Sequence, residues 1–199
     1  MRQLQRNDKI ILVAITAAMA FCVATAAVIR AERLTFNWTP CVPVGIYQDI
    51  AIKKPLYDGE WVTLCPPITP SVQQEIRHHW LLLSRKSVCA DHLMPFIKHV
   101  AAVPGQTVNL SAAGMSVDGH LITHTIVQPT APVPMNSVHL IHYRFGTYTV
   151  KPGTFWEYAN NNKWAFDSRY YGPISEKNIE SGSQPVWLFE GKNTGGEKG

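Results

Sequence analysis

Apolar residues run without a charge from Ile10 to Ile29, and nothing later in the chain matches that run. A helix of about 20 apolar residues, rising about 1.5 Å each, crosses a hydrocarbon core of about 30 Å. Residues 10–29 are therefore expected to form a transmembrane anchor. Arg2, Arg6 and Lys9 precede the run and Arg30 and Arg33 come after it. This slight excess of positive charge places residues 1–9 in the cytoplasm. A second reading is a cleaved secretory signal with Ala24-Thr25-Ala26 at the cleavage site, but the run exceeds the apolar stretch of about 7–15 residues that such signals carry. Both readings export the chain beyond residue 30.

Beyond the anchor the pattern changes to short runs of β-branched and aromatic residues between turn signals, which predicts strands. The runs are Glu60–Leu64, Gln106–Leu110, Ser116-Val117, Leu121-Ile122 and Gly153–Tyr158. Asp118-Gly119 between two of them predicts a tight hairpin. Fourteen prolines and thirteen glycines keep the elements short. One helix is expected from Ser71 to about Ser84, with Ser71 as N-cap and Glu75 in the first turns. Val72, Ile76, Trp80 and Leu83 would form its apolar face. Residues 124–152 are rich in Pro, Thr and His without periodicity and read as irregular connection and edge strand. The fold class expected is mainly β, with one exported domain at 30–190 and a polar, Gly-rich, disordered tail at 191–199.

Composition narrows the function. Hydrophobic content of 46% with 16% charge excludes a disordered chain. The net charge of +4 is scattered along the chain and forms no basic stripe, so no nucleic-acid partner is expected. His78, His79, His92, His120, His124, His139 and His142 raise the question of a metal, but no C-x-x-C or H-E-x-x-H spacing accompanies them. No metal site and no cofactor are expected. Cys22 lies in the apolar run, leaving Cys41, Cys65 and Cys89 in the exported part. Three thiols cannot all pair within one chain. Cys65 with Cys89 would close a surface loop, while Cys41 with either would remove Cys41 as a free thiol.

Three segments carry candidate chemistry. They are Thr39-Pro40-Cys41-Val42-Pro43-Val44-Gly45-Ile46-Tyr47, Phe96-Ile97-Lys98-His99-Val100 through Gly105, and Phe166-Asp167-Ser168-Arg169-Tyr170-Tyr171-Gly172-Pro173. In this order, behind an apolar anchor, they resemble the signal peptidase I superfamily. The Pro43-x-Gly45-x-Tyr47 ending resembles its TraF-type branch, the conjugative-transfer peptidases that process pilin. The resemblance implies two antiparallel sheets behind one N-terminal transmembrane helix, with the Cys41 and Lys98 segments side by side. It places Cys41 at the usual serine nucleophile and Lys98 at the general base, with Asp167 supporting the site, either orienting Lys98 or holding Arg169. Arg169 is expected to be structural, and Val42, Pro43 and Gly45 to lie along the substrate. The paired cysteines of the TraF-type branch imply a Cys65–Cys89 disulfide and a free Cys41.

The residues themselves suit these roles. Pro40 and Pro43 stiffen the chain on either side of Cys41. Lys98 is flanked by Phe96, Ile97 and Val100–Val103, and is the sole standing positive charge between Lys86 and Arg144. On a strand, Phe96, Lys98 and Val100 share a face, and burial there disfavours the charged amine. An ordinary thiol gives up its proton more readily than a serine hydroxyl, and a thioester reacts well with amines, so ring closure of a cleaved pilin is a second chemistry open to Cys41. Three departures from the family pattern stand out: Cys41 for serine, His99 where an arginine often follows the lysine, and Ala165 where a serine often bonds the base. The expected partners are a pilin precursor, inner-membrane lipid and other conjugation-apparatus proteins, with the catalytic domain in the bacterial periplasm. A housekeeping signal peptidase or a catalytically impaired envelope component of a secretion apparatus are the competing readings.

Overall fold

The computed structural model describes residues 6–132, 134–135 and 137–189. The expected tail at 191–199 and the first five residues of the expected cytoplasmic segment lie outside the described residues. The chain opens with α1 (Arg6–Ala31), whose Asp8–Ala31 portion is long and apolar enough to cross a membrane, as an anchor or a signal. None of that span is covered by the rest of the molecule.

The remainder is mainly β. In order come β1 (Leu34–Asn37), β2 (Gly45–Ile50), β3 (Trp61–Leu64), α2 (Pro70–Arg77), β4 (Phe96–Ala102), β5 (Thr107–Ser111), β6 (Gly114–Val117), β7 (His120–Leu121), β8 (Gly146–Thr149), β9 (Thr154–Tyr158), α3 (Ser168–Tyr171), β10 (Ile174–Ser175) and β11 (Ile179–Leu188). A seven-stranded sheet runs β1-β2-β11-β3-β4-β9-β10 and a four-stranded sheet runs β7-β6-β5-β8. Every strand pair in both is antiparallel.

The small sheet follows its local signals. Asp118 and Gly119 take φ of 49° and 85°, the double left-handed geometry that a two-residue hairpin requires. The Asp118 carboxylate accepts from Thr107 N at 2.8 Å, tying the turn to β5. The described residues between 124 and 145 are irregular apart from an isolated bridge between Thr130 and His139, and β8 forms one edge of the sheet.

The expected helix is shorter than the apolar spacing suggests. Thr69, not Ser71, is its N-cap, with its hydroxyl accepting from Val72 N, and Pro70 occupies the first turn, where a missing N–H costs nothing. The helix stops at Arg77 because His79 turns left-handed, at φ 58°. Trp80 and Leu83 therefore lie beyond it: the Trp80 indole reaches Met135, and Leu83 bridges to Leu93.

Cys65 and Cys89 are joined by a disulfide around this excursion, and Cys22 and Cys41 are free. Gln74 on α2 donates to His139 O and accepts from Ile141 N, holding the irregular segment against the excursion. The core gathers Val62, Leu64, Val100, Phe155 and Trp156 of the large sheet with Val108, Leu110 and Met115 of the small one. Trp156 is 1% exposed and its ring meets Tyr143 and Tyr148 at centroid distances of 5.6 and 5.4 Å. Such aromatic pairs add about 0.5–1.5 kcal/mol each beyond the area they bury.

Candidate active site

Cys41 sits in the turn between β1 and β2, and Asn37 shapes that turn. Its side-chain amide donates to Thr39 O, Val42 O and Pro43 O at 3.0, 3.3 and 3.1 Å, while its Oδ1 accepts from the amide and hydroxyl of Thr39. The two prolines cannot donate backbone N–H groups, so a side chain organises the loop carbonyls instead. Asn161 donates to Pro40 O at 3.0 Å and fastens the turn to the segment after β9. Cys41 is half-buried beside Val42, Tyr47, Ala159 and Ala165.

Lys98 lies on β4, where partly buried and buried residues alternate from Ile97 to Val100. Its side chain enters the buried face with Val100, and the residue is 3% exposed. Its Nζ donates to Phe166 O at 2.7 Å and stands 5.3 Å from the Phe96 ring centroid. His99 points to the other face, between Trp61 and Tyr158, with Nδ1 3.3 Å from Gly59 O. Burial lowers its proton affinity, and the Lys98 charge adds to that; the Gly59 carbonyl opposes both.

Asp167 resolves the choice left by the sequence: it holds Arg169 rather than Lys98. It caps α3, accepting from Arg169 N, and its two oxygens take Arg169 Nε and Nη2 at 2.7 Å each. Asp167 Oδ2 also accepts from Ala159 N. Arg169 donates onward to Ile126 O, Ala159 O and Ala165 O. Both residues are fully buried, and the Asp167 carboxylate raises the proton affinity of the guanidinium. This corner presents the Phe166 carbonyl to Lys98.

Cys41 and Lys98 line one groove of about 830 Å³, whose walls include Phe36, Trp38, Trp80, Leu82, Phe96 and Trp164. A smaller cleft of about 280 Å³ at Asp58, Gln106 and His120 contains neither. Val42, Pro43 and Gly45, expected along the substrate, line neither cavity. Val42 is 2% exposed, Pro43 O accepts from Tyr47 Oη and Asn37 Nδ2, and Gly45 makes room for β11. A Cβ on Gly45 would stand 2.3 Å from Trp187 O. The close approach that this glycine permits is therefore of the chain's own last strand.

The residues that sequence reasoning missed are polar, and all but Thr39 sit outside the three segments. Asn37 and Thr39 carry a local signal, an Asn two residues before a Thr in a turn. Asn161 carries none. Glu157 is hidden in the aromatic run of β9, opposite Val100 on β4. It is fully buried, Tyr171 Oη donates to its Oε1, and burial pushes its carboxyl up to about 8 against the pull of Lys98. Among the described residues no group of three or more His, Cys, Asp or Glu side chains is gathered for a metal ion.

A family model described as signal peptidase, peptidase S26, matches residues 6–188. A conjugal transfer protein TraF of Agrobacterium fabrum is 29% identical over 154 residues, covering 77% of this chain and 82% of that one. A plasmid transfer protein TraF of Escherichia coli is 27% identical over 186 residues, covering 94% and 98%. A solved signal peptidase I of Enterococcus faecalis covers 66% of this chain and 98% of its own at 16% identity and a TM-score of 0.35, too distant to carry an argument.

Proposed function

The chain belongs to the signal peptidase S26 family, and from that premise we propose that it is a membrane-anchored endopeptidase that removes the leader of a conjugative pilin subunit. The observation that carries this reading is a free thiol and a buried lysine on one apolar groove. Membership in the family supports a peptidase, and the similarity to TraF proteins over most of the chain supports a substrate from a conjugation system. Here α1 anchors residues 30–190 at the periplasmic face of the inner membrane, close to where a pilin leader emerges.

In this reading Lys98 takes the proton of Cys41, and Sγ attacks the scissile carbonyl. The oxyanion is met by backbone donors, the Cys41 N–H among them. Lys98 then gives the proton to the departing amine, leaving a thioester on Cys41. Water opens this leader thioester in hydrolysis. Ring closure takes a second cut, in which Sγ attacks a carbonyl near the pilin's C-terminus, the C-terminal peptide leaves as the amine that takes the proton, and the pilin's freed amino terminus opens that second thioester. The groove's apolar walls suit small apolar side chains flanking the bond.

The test is the mass of the mature pilin in cells carrying each variant. Cys41→Ala should abolish processing. Cys41→Ser should keep weak leader cleavage and lose more of any cyclic product, since an ester favours amine capture less than a thioester does. A cyclic product weighs one water less than the linear one. Processing at the wild-type rate in Cys41→Ala would favour an envelope component that retains the fold without the chemistry.

A further inference from the structure

Three features mark Glu157 out from the rest of the core. The residue is fully buried, its Oε2 has no hydrogen-bond partner, and a carboxyl stands where an apolar side chain would fill the space without desolvation cost. Its position is fixed by the β4–β9 ladder. Glu157 pairs with Val100, and antiparallel partners project to the same side of a sheet. Lys98 is two residues from Val100 and so shares that side. The two long side chains are therefore diagonal neighbours, with backbones roughly 7–8 Å apart. No ion pair within 4.0 Å joins them; Lys98 Nζ is turned to Phe166 O and Glu157 Oε1 to Tyr171.

We propose that Glu157 is a positioning residue for the site's base: a buried carboxyl, held by Tyr171 across the ladder from Lys98, that governs how readily the amine exchanges a proton with Cys41. This rests on the peptidase reading above and adds a residue to it. Ala165 offers no hydroxyl to the amine, so Lys98 has one backbone acceptor and, beyond it, this carboxyl. When Lys98 accepts the Cys41 proton, a cation forms in a buried place. The ionised carboxyl favours that cation and the protonated carboxyl does not. The groups that face Glu157 are Lys98 from β4 and Asp167, Arg169 and Tyr171 from the α3 corner. Lys98, Arg169 and the Tyr171 hydroxyl favour its carboxylate; burial and Asp167 oppose it.

The full chain in detergent micelles tests this twice. First, the infrared carbonyl band of the protonated Glu157 carboxyl, identified by its loss in Glu157→Gln, is titrated in wild type and in Lys98→Met. Loss of the lysine should raise the pH at which the band disappears by about one unit, a tenfold change in proton affinity. An unmoved band would overturn the proposal. Second, cleavage of an internally quenched peptide with alanine before the scissile bond is followed against pH. Near and above about pH 8, where the carboxyl ionises, Glu157→Gln should move the acidic limb of kcat/KM to lower pH, because no carboxylate then favours the protonated amine. Tyr171→Phe, which withdraws the hydroxyl that favours the carboxylate, should move it the same way by less, and serves if the Gln variant does not fold. An unchanged limb in a folded variant means a structural role only and overturns the proposal. The infrared arm needs no peptidase activity, so it stands or falls apart from the peptidase reading.

Discussion

Two buried acids lie on neighbouring elements, and their surroundings differ in kind. Around Asp167 every charge is answered: both oxygens are bonded, and the Arg169 guanidinium is spread over a carboxylate and three carbonyls. Across β4 and β9 the polar groups are underpaired. Lys98 has one acceptor, and one Glu157 oxygen has no partner. A saturated network fixes a shape, because any change leaves an unpaired charge in low dielectric. An unsaturated pair can exchange a proton without breaking a lattice of bonds. The corner is built to hold the Phe166 carbonyl still, and the β4–β9 face is built to let charge move.

The sharpest way to break this contrast is to substitute on both sides and compare fold with activity. Lys98→Arg keeps a cation but cannot accept a proton. Leader cleavage should fall by about 10²–10⁴, the usual worth of a general base, with the denaturant midpoint close to wild type. Substantial activity in Lys98→Arg would move the base elsewhere, although His99 faces the opposite side of β4. Arg169→Ala should do the reverse. It strands Asp167, and loss of one partner of a buried ion pair costs about 3–5 kcal/mol. Urea unfolding of the detergent-solubilised chain measures it; a loss below about 1 kcal/mol would show that the corner is not the rigid half of the site.

The same contrast explains what could be read from the sequence. The small sheet was legible because its pairings are local and its turn residues are diagnostic. Asp118-Gly119 specifies its hairpin wherever it occurs. The large sheet is assembled from distant segments, and its interior strand β11 reads Ile-Glu-Ser-Gly-Ser-Gln-Pro-Val-Trp-Leu, poor in β-formers at its start and carrying Pro185 beside a register shift. Nothing local marks it as a strand. In the site, Cys41, Lys98 and Asp167 stood out through short motifs. Asn161 and Glu157 act through pairings made by the fold, and no spacing along the chain announces them. Gly45 was visible as a glycine, but the strand that needs the room was not.

A smaller effect concerns the excursion around α2, which belongs to the shape-holding half. The Cys65–Cys89 bond closes 24 residues of separation, worth roughly 3 kcal/mol through the chain entropy of the unfolded state. A Cys65→Ser/Cys89→Ser double variant should lose about that much in urea unfolding. Because Trp80 and Leu82 on this excursion wall the groove, its peptide KM should rise more than its kcat falls. Equal changes in both would mean that the excursion does not shape binding.

The smallest expected effect is a slope, and it comes from the underpaired half. Burial raises the Glu157 carboxyl to about 8 and the Glu75 carboxyl on α2 to about 7, from an ordinary value of 4.5. An acid with a raised folded value holds its proton where the unfolded chain has lost it. The folded state then binds more protons than the unfolded state, so stability falls as pH rises, from about 4.5 up to the folded value of each group. His99 runs the other way. Its folded value lies below 6.5, so its contribution is complete above 6.5 and is lost as pH drops. The window free of His99 is therefore pH 6.5 to 8. Glu75 and Glu157 both act at its lower end, and Glu157 alone above about 7. One proton of difference gives a slope of about 1.4 kcal/mol per pH unit. Urea midpoints taken across that window should decline in wild type. In Glu157→Gln the decline above about pH 7 should disappear, because the amide has no proton to lose. Asp167→Asn, by contrast, strips Arg169 of its carboxylate partner and should lower stability at every pH in the window. If Glu157→Gln keeps the wild-type slope above about pH 7, the unpaired carboxyl is not holding a proton in the folded state, and the two acids are less different than their hydrogen bonds suggest.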